Sequence, residues 1–115
     1  MPTTDAAKRK EYNRRYYENG GQARVQARNK ANKAAKAAYV RDRKSAGSCA
    51  DCGGMFHPVA MDYDHVGTDK IAPVSKLCAD NVSYERIDAE IAKCELVCSN
   101  CHRVRTYERL HAPLA

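Results

Sequence analysis

Residues 98–102 read Cys98-Ser99-Asn100-Cys101-His102, and the same Cys-x-x-Cys spacing stands upstream as Cys49-Ala50-Asp51-Cys52, followed by Gly53-Gly54. A Cys-x-x-Cys turn lets two sulfurs face one ion, and the glycines accept the strained dihedrals that such a turn requires. Zinc takes four soft or borderline ligands in a tetrahedron, so Cys49, Cys52, Cys98 and Cys101 are expected to form a structural zinc site. The segment between the pairs, residues 53–97, is long for a simple finger. The pairs must therefore clamp the ends of an inserted element. A redox dithiol would need a thioredoxin-like strand-to-helix junction, and the surrounding pattern does not provide one.

The other metal-capable side chains weigh less. Cys94 lies four residues before Cys98 and could replace a knuckle cysteine, but two symmetric turns are simpler, and it reads as buried filler. Cys78 reads as a lone thiol, with a Cys78–Cys94 contact left open. His57 reads as a surface or supporting histidine, and His111 as part of a frayed tail.

Six cysteines and a single Phe in 115 residues describe a small core helped by a metal. The length allows one domain with an appendage. The opening MPTTDAAKRKEYNRRYY lacks an apolar signal region, and no stretch is apolar enough to span a bilayer. A reducing, cytoplasmic setting without membrane attachment is expected, in which paired Cys-x-x-Cys motifs mean metal rather than disulfides. The formal net charge of +6 is uneven: residues 8–44 hold 13 Lys and Arg against 3 acids, whereas residues 45–115 hold 7 against 10. A basic arm, residues 1–44, beside an acidic domain, residues 45–115, points to a polyanion, with nucleic acid as the default partner.

Along the chain, residues 1–6 are expected to fray and residues 7–18 to form a helix ended by Asn19-Gly20-Gly21. Residues 22–43 carry Ala at 23, 27, 31, 35 and 38, close to the helical period. This helix is either a solvated high-propensity segment or one laid along DNA, with Arg24, Arg28, Lys33, Lys36 and Arg41 meeting phosphates. Tyr12, Tyr16, Tyr17 and Tyr39 are expected to pack these helices, and residues 45–48 to join arm and domain. Residues 59–63 read as a strand that residues 64–67 begin to return. Residues 68–82 read as a loop with one ordered turn near residues 74–77. Ser83 should cap a helix over residues 84–93 with Ile87 and Ile91 inward. A terminal helix over residues 102–110 should place Val104, and with it Leu110, inward.

A second constellation lies around the knuckles: Asp62-Tyr63-Asp64-His65 between them and His102-Arg103-Val104-Arg105 after them. Zinc joining the knuckles would bring Asp64 near His102, and the two could share a divalent cation. An attacking water needs a base that titrates near neutrality, which an imidazole supplies, and His65 is the candidate. Arg103 and Arg105 could hold neighbouring phosphates, and Thr106, one turn past His102, could touch the metal shell. The opposing reading is that His65 and His102 only buttress the zinc domain through hydrogen bonds. Adjacent strand residues face opposite ways, so Asp64 and His65 can serve one site only with a turn at Val66-Gly67 or an irregular backbone.

The run MDYDHVGTDK…EIAKCELVCSNCHRVRT, within residues 49–107, resembles the zinc-containing HNH endonucleases of bacteria and their phages. The resemblance implies an α+β, ββα-metal (His-Me finger) domain stapled by the four-cysteine zinc site and preceded here by the basic helical arm. It implies DNA phosphodiester hydrolysis, by nicking or double-strand cleavage, leaving 5′-phosphate and 3′-hydroxyl ends. It implies His65 as general base, and Asp64 and His102 as ligands of a catalytic Mg2+ or Mn2+, with Ni2+ and Zn2+ also compatible with the donor set. In the family a middle Asn holds the loop carrying the base. Spacing back from Cys98 puts Lys93 at that place, which leaves Asn81, Asn100 or a backbone carbonyl to brace His65.

The resemblance does not cover residues 7–44, whose DNA role rests on charge. If the chain is phage-borne, it would act in the host cytoplasm beside the DNA-packaging terminase. A monomer or weak homodimer is expected, with the Ala-striped helix as the place for a dimer contact. The alternatives are a non-catalytic zinc module binding DNA or RNA, and a protein-interaction module whose arm docks on an acidic partner.

Overall fold

A computed structural model describes residues 5–112. The elements run α1 (Ala6–Glu18), α2 (Gly21–Ala46), a single 3-10 turn (Pro58–Ala60), β1 (Met61–His65), α3 (Val74–Ala79), α4 (Tyr84–Ile91), β2 (Cys94–Cys98) and α5 (Ser99–His111). The chain divides into two compact units, residues 1–32 and residues 33–115.

In the first unit, the Asp5 carboxylate caps α1 by accepting the Ala7 N–H at 2.9 Å. Gly20, at φ +89°, takes the left-handed turn that separates α1 from α2. Tyr16 stacks edge-on against Tyr17 and lies under the Arg24 guanidinium, but Tyr12 and Tyr17 remain exposed instead of packing the helices. The fraying expected of residues 1–4 falls outside the described residues.

The second unit has two apolar clusters. One joins Val40 of α2 to Val74, Leu77 and Cys78 of α3 and to Ile87 and Ile91 of α4. Each such aliphatic side chain contributes about 1.5–3 kcal/mol by leaving water. Cys78 and Cys94 both belong to this region as free thiols. Ser83 caps α4 by accepting the Arg86 N–H, and Tyr39 and Arg43 of α2 both donate to Asp88 of α4. The second cluster is Cys49, Met61, Val97 and Cys98, which seats the cysteine sulfurs on the sheet.

β1 and β2 pair antiparallel, with Met61 opposite Cys98, Asp64 opposite Glu95 and His65 opposite Cys94. The strand partner is therefore residues 94–98, and not a local return over residues 64–67: β1 itself continues through Asp64 and His65. The two strands followed by α5, with the four cysteines bracketing them, make the α+β, ββα-metal arrangement that the resemblance implied. The expected joint at residues 45–48 begins later, because α2 continues to Ala46. Val104 and Leu110 do not face inward; they are 54% and 77% exposed. The inward stripe of α5 carries His102, Arg105 and Arg109 instead, at i, i+3 and i+7. No helix among the described residues is long and apolar enough to cross a membrane.

Candidate metal and catalytic centre

The Sγ atoms of Cys49, Cys52, Cys98 and Cys101 all lie within 4.8 Å of one another, and those of Cys52 and Cys98 are 4.0 Å apart. Sulfurs around a tetrahedral zinc at about 2.3 Å stand about 3.8 Å apart, so the donor set and its spacing fit zinc. Both turns are closed by N–H to sulfur bonds, Cys52 to Cys49 at 3.5 Å and Cys101 to Cys98 at 3.4 Å. The first also has Gly53 at φ +73°, donating to the Cys49 carbonyl. Burial raises the Cys49 thiol, but N–H donors from Cys52, Cys98 and Asp51 outweigh it and bring it to about 6, whereas the bond to Cys98, with burial, pushes Cys101 up to about 12; the knuckles thus offer one ready thiolate, and a metal would displace the remaining protons. Cys94 stands outside this cluster, with its thiol bonded to the Glu90 carbonyl. Burial, its main perturbation, pushes it up to about 11. It is filler, not a ligand. His57 caps the 3-10 turn by accepting the Val59 N–H on Nδ1.

The pleat of β1 sends Asp62 and Asp64 toward α5, and Tyr63 and His65 toward α4 and the apolar cluster. Asp64 and His65 thus face opposite ways, yet both border one cleft of about 930 Å3. Asp62 and His102 share this cleft, with Arg41, Lys44, Lys70 and Arg109 around it. The strand alternation does not keep the two residues from one cleft, since both line it.

His102 lies between two carboxylates. Its Nδ1 is 2.9 Å from Asp62 Oδ2, and its Nε2 is 3.5 Å from Asp64 Oδ1. Asp62, which had no assigned role in the sequence reading, therefore orients the ring by its far nitrogen. This is the arrangement in which a carboxylate aims a metal-binding imidazole. Two cis ligands of an octahedral cation at about 2.1 Å stand about 3 Å apart, so Asp64 Oδ1 and His102 Nε2 fit as a pair of donors.

Asp64 is 5% exposed and clamped by two guanidinium groups. Arg109 donates to Oδ1 at 3.0 Å and to Oδ2 at 2.5 Å, and Arg105 donates to Oδ2 at 3.0 Å. The Arg109 bonds foremost, with those of Arg105 and against the cost of burial, hold the Asp64 carboxyl below its ordinary value. Arg105 also grips both oxygens of Asp51 at 2.6 Å and lies 3.4 Å from Glu95, so one guanidinium is shared among three carboxylates. Arg103 is exposed. Thr106 donates back to the His102 carbonyl at 3.1 Å.

His65 meets a residue that the sequence reading passed over. Its Nε2 is 3.3 Å from Glu90 Oε1, and Glu90 is 2% exposed. Glu90 also accepts the Ile71 N–H at 3.0 Å and a bond from Lys93 Nζ at 3.3 Å. The Lys93 carbonyl accepts the Val66 N–H at 3.1 Å, and its ammonium donates to the Asp69 carbonyl at 2.9 Å. The loop after His65 is thus fastened by Lys93 and Glu90. Asn81 is engaged elsewhere, accepting Lys36, and Asn100 is exposed on the knuckle. A signal for Glu90 existed in the sequence: it follows Ile87 by three residues on the inward stripe of α4.

No protein-family model, curated protein or solved structure matches the chain. Residues 33–115 hold an α+β zinc-binding unit in which the four-cysteine cluster accompanies a cluster of Asp, His and Arg side chains.

Proposed function

We propose that this protein is a metal-dependent HNH-type endonuclease that hydrolyses DNA phosphodiester bonds. The observation that carries this reading is the convergence of Asp64 Oδ1 and the Asp62-oriented Nε2 of His102, 3.5 Å apart, on a basic cleft that His65 also borders. A divalent cation held by Asp64 and His102, Mg2+ or Mn2+ foremost, would supply charge stabilisation for the phosphate and the departing oxygen. His65 takes the proton from the attacking water. Asp62 keeps the His102 ring aimed at Asp64. Arg41, Lys44 and Lys70 meet the strand's phosphates along the cleft wall, and exposed Arg103 adds a contact beside it. The water oxygen bonds to phosphorus as the P–O3′ bond breaks, and O3′ takes a proton from solvent, leaving a 5′-phosphate and a 3′-hydroxyl.

Arg105 has a different part in this scheme from the phosphate contact expected of it. Its bonds to Asp51 and Asp64 suit a scaffold between the zinc knuckle and the site. Arg109, whose side chain is 52% exposed, is the guanidinium free to leave Asp64 for a phosphate. Arg24, Arg28 and Lys33, on the exposed surface of α2, hold DNA by phosphate neutralisation. Lys36 is partly committed to Asn81.

The clamp on Asp64 favours a second reading, a non-catalytic zinc module that binds DNA or RNA, in which the Asp/Arg/His network is only a structural brace. Incubation of the purified zinc protein with supercoiled plasmid, with Mg2+ or Mn2+ and with EDTA, separates the two. Cation-dependent nicking supports the nuclease. A gel shift without cleavage under every cation supports the binding module.

A further inference from the structure

We infer that Glu90 is the positioning residue of His65: it fixes the imidazole as the Nε2–H tautomer and leaves the lone pair on Nδ1. This rests on the nuclease reading for its catalytic meaning, but the tautomer itself does not.

A carboxylate 2% exposed must have its acceptor capacity satisfied. Glu90 does so with three donors from three places: the Ile71 N–H at 3.0 Å, Lys93 Nζ at 3.3 Å and His65 Nε2 at 3.3 Å. The Ile71 N–H foremost, with Lys93 and His65, holds its carboxyl below the ordinary range against burial, so the group is ionised and can only accept. The His65 nitrogen facing it must then carry a proton. A neutral imidazole has one N–H and one lone pair, so the lone pair lies on Nδ1.

Glu90 holds the base from a rigid element, since α4 also buries Ile87 and Ile91. The same carboxylate holds Ile71, and Lys93 ties Asp69 and Val66, so ring and following loop move as one. Here a buried carboxylate on the helix before β2 does the bracing that the absent Asn was expected to do. Lys93, which occupies that Asn's place, contributes a carbonyl and an ammonium.

The test is long-range nitrogen–proton NMR of the His65 ring in the zinc-loaded protein without added Mg2+ or Mn2+, at a pH well above the ordinary imidazole range. Wild type is expected to show a single Nε2–H tautomer. Glu90→Gln, with one acceptor oxygen for three donors, is expected to keep zinc stoichiometry but to show a mixture of tautomers. Its kcat for nicking is expected to fall about 10- to 100-fold with KM for DNA little changed, the scale of a lost orienting partner. An Nδ1–H tautomer in wild type overturns the inference, whether or not the variant folds. So does a Glu90→Gln protein whose His65 tautomer is unchanged. If wild type nicks no plasmid yet shows the Nε2–H form, the positioning contact stands and the nuclease reading fails.

Discussion

Arg105 grips both carboxylate oxygens of Asp51 at 2.6 Å while its other amino group reaches Asp64. Asp51 lies inside the first knuckle and Asp64 inside the candidate site, so this guanidinium ties the one to the other. Its bidentate geometry is one that lysine cannot reproduce. Arg105→Lys is expected to lower Tm by on the order of 5 °C while zinc content stays at one per chain. Asp51→Ala added to it should cost little more. Calorimetry on the two single variants and the double variant checks this; full additivity would mean that the two residues do not act together.

Asp62 aims His102 by its Nδ1. Asp62→Ala leaves that nitrogen without its partner and the ring free to turn. Affinity for Mn2+ is expected to fall about 10- to 100-fold, measured by the paramagnetic signal of free Mn2+, with the four-cysteine zinc retained. Unchanged Mn2+ binding would remove Asp62 from the account.

The Glu90 carboxyl is held below its ordinary value in the folded protein. Folding therefore gains stability from it at pH values above the ordinary Glu range, and loses that gain as pH falls through the lower folded value. Denaturant titrations from neutral pH into the acid range should show wild type losing stability on acidification more steeply than Glu90→Gln, in which the contribution is already absent. Parallel profiles for the two proteins would contradict this.

The proposed hold of α2 on DNA rests on phosphate neutralisation, so its affinity must fall steeply with salt. Replacing Arg24, Arg28 and Lys33 together by Gln is expected to flatten the log–log salt slope by about 3 on duplex DNA, since each phosphate contact contributes about 0.9. Binding titrations at several salt concentrations read this directly, and an unchanged slope would exclude the helix from the interface.

How much of this was legible in the sequence depended on whether a residue's role was local. The knuckles were legible because their geometry is written within four residues each. The helix cap at Ser83 and the Ile87/Ile91 pair are equally local. The pairing of Met61–His65 with Cys94–Cys98 was not, because β2 is five residues bounded by cysteines, and its partner is fixed by the cluster of Met61, Val97 and the knuckle sulfurs. The inward face of α5 was misassigned because apolar Val104 and Leu110 were expected to turn toward the core. Against Asp62 and Asp64, the stripe that satisfies charge is His102, Arg105 and Arg109. Glu90 was missed for the same reason: a buried acid among isoleucines is sensible only once Ile71, Lys93 and His65 stand around it.

In the proposed nuclease zinc holds the architecture while His65 does the chemistry, and plasmid nicking measured alongside zinc content and folding for His65→Ala and Cys52→Ser separates the two roles. His65→Ala is expected to keep its zinc and its thermal transition but to lose cleavage by about 100-fold or more, whereas Cys52→Ser is expected to lose zinc, fold and cleavage together. Undiminished cleavage by folded, zinc-bound His65→Ala would contradict it.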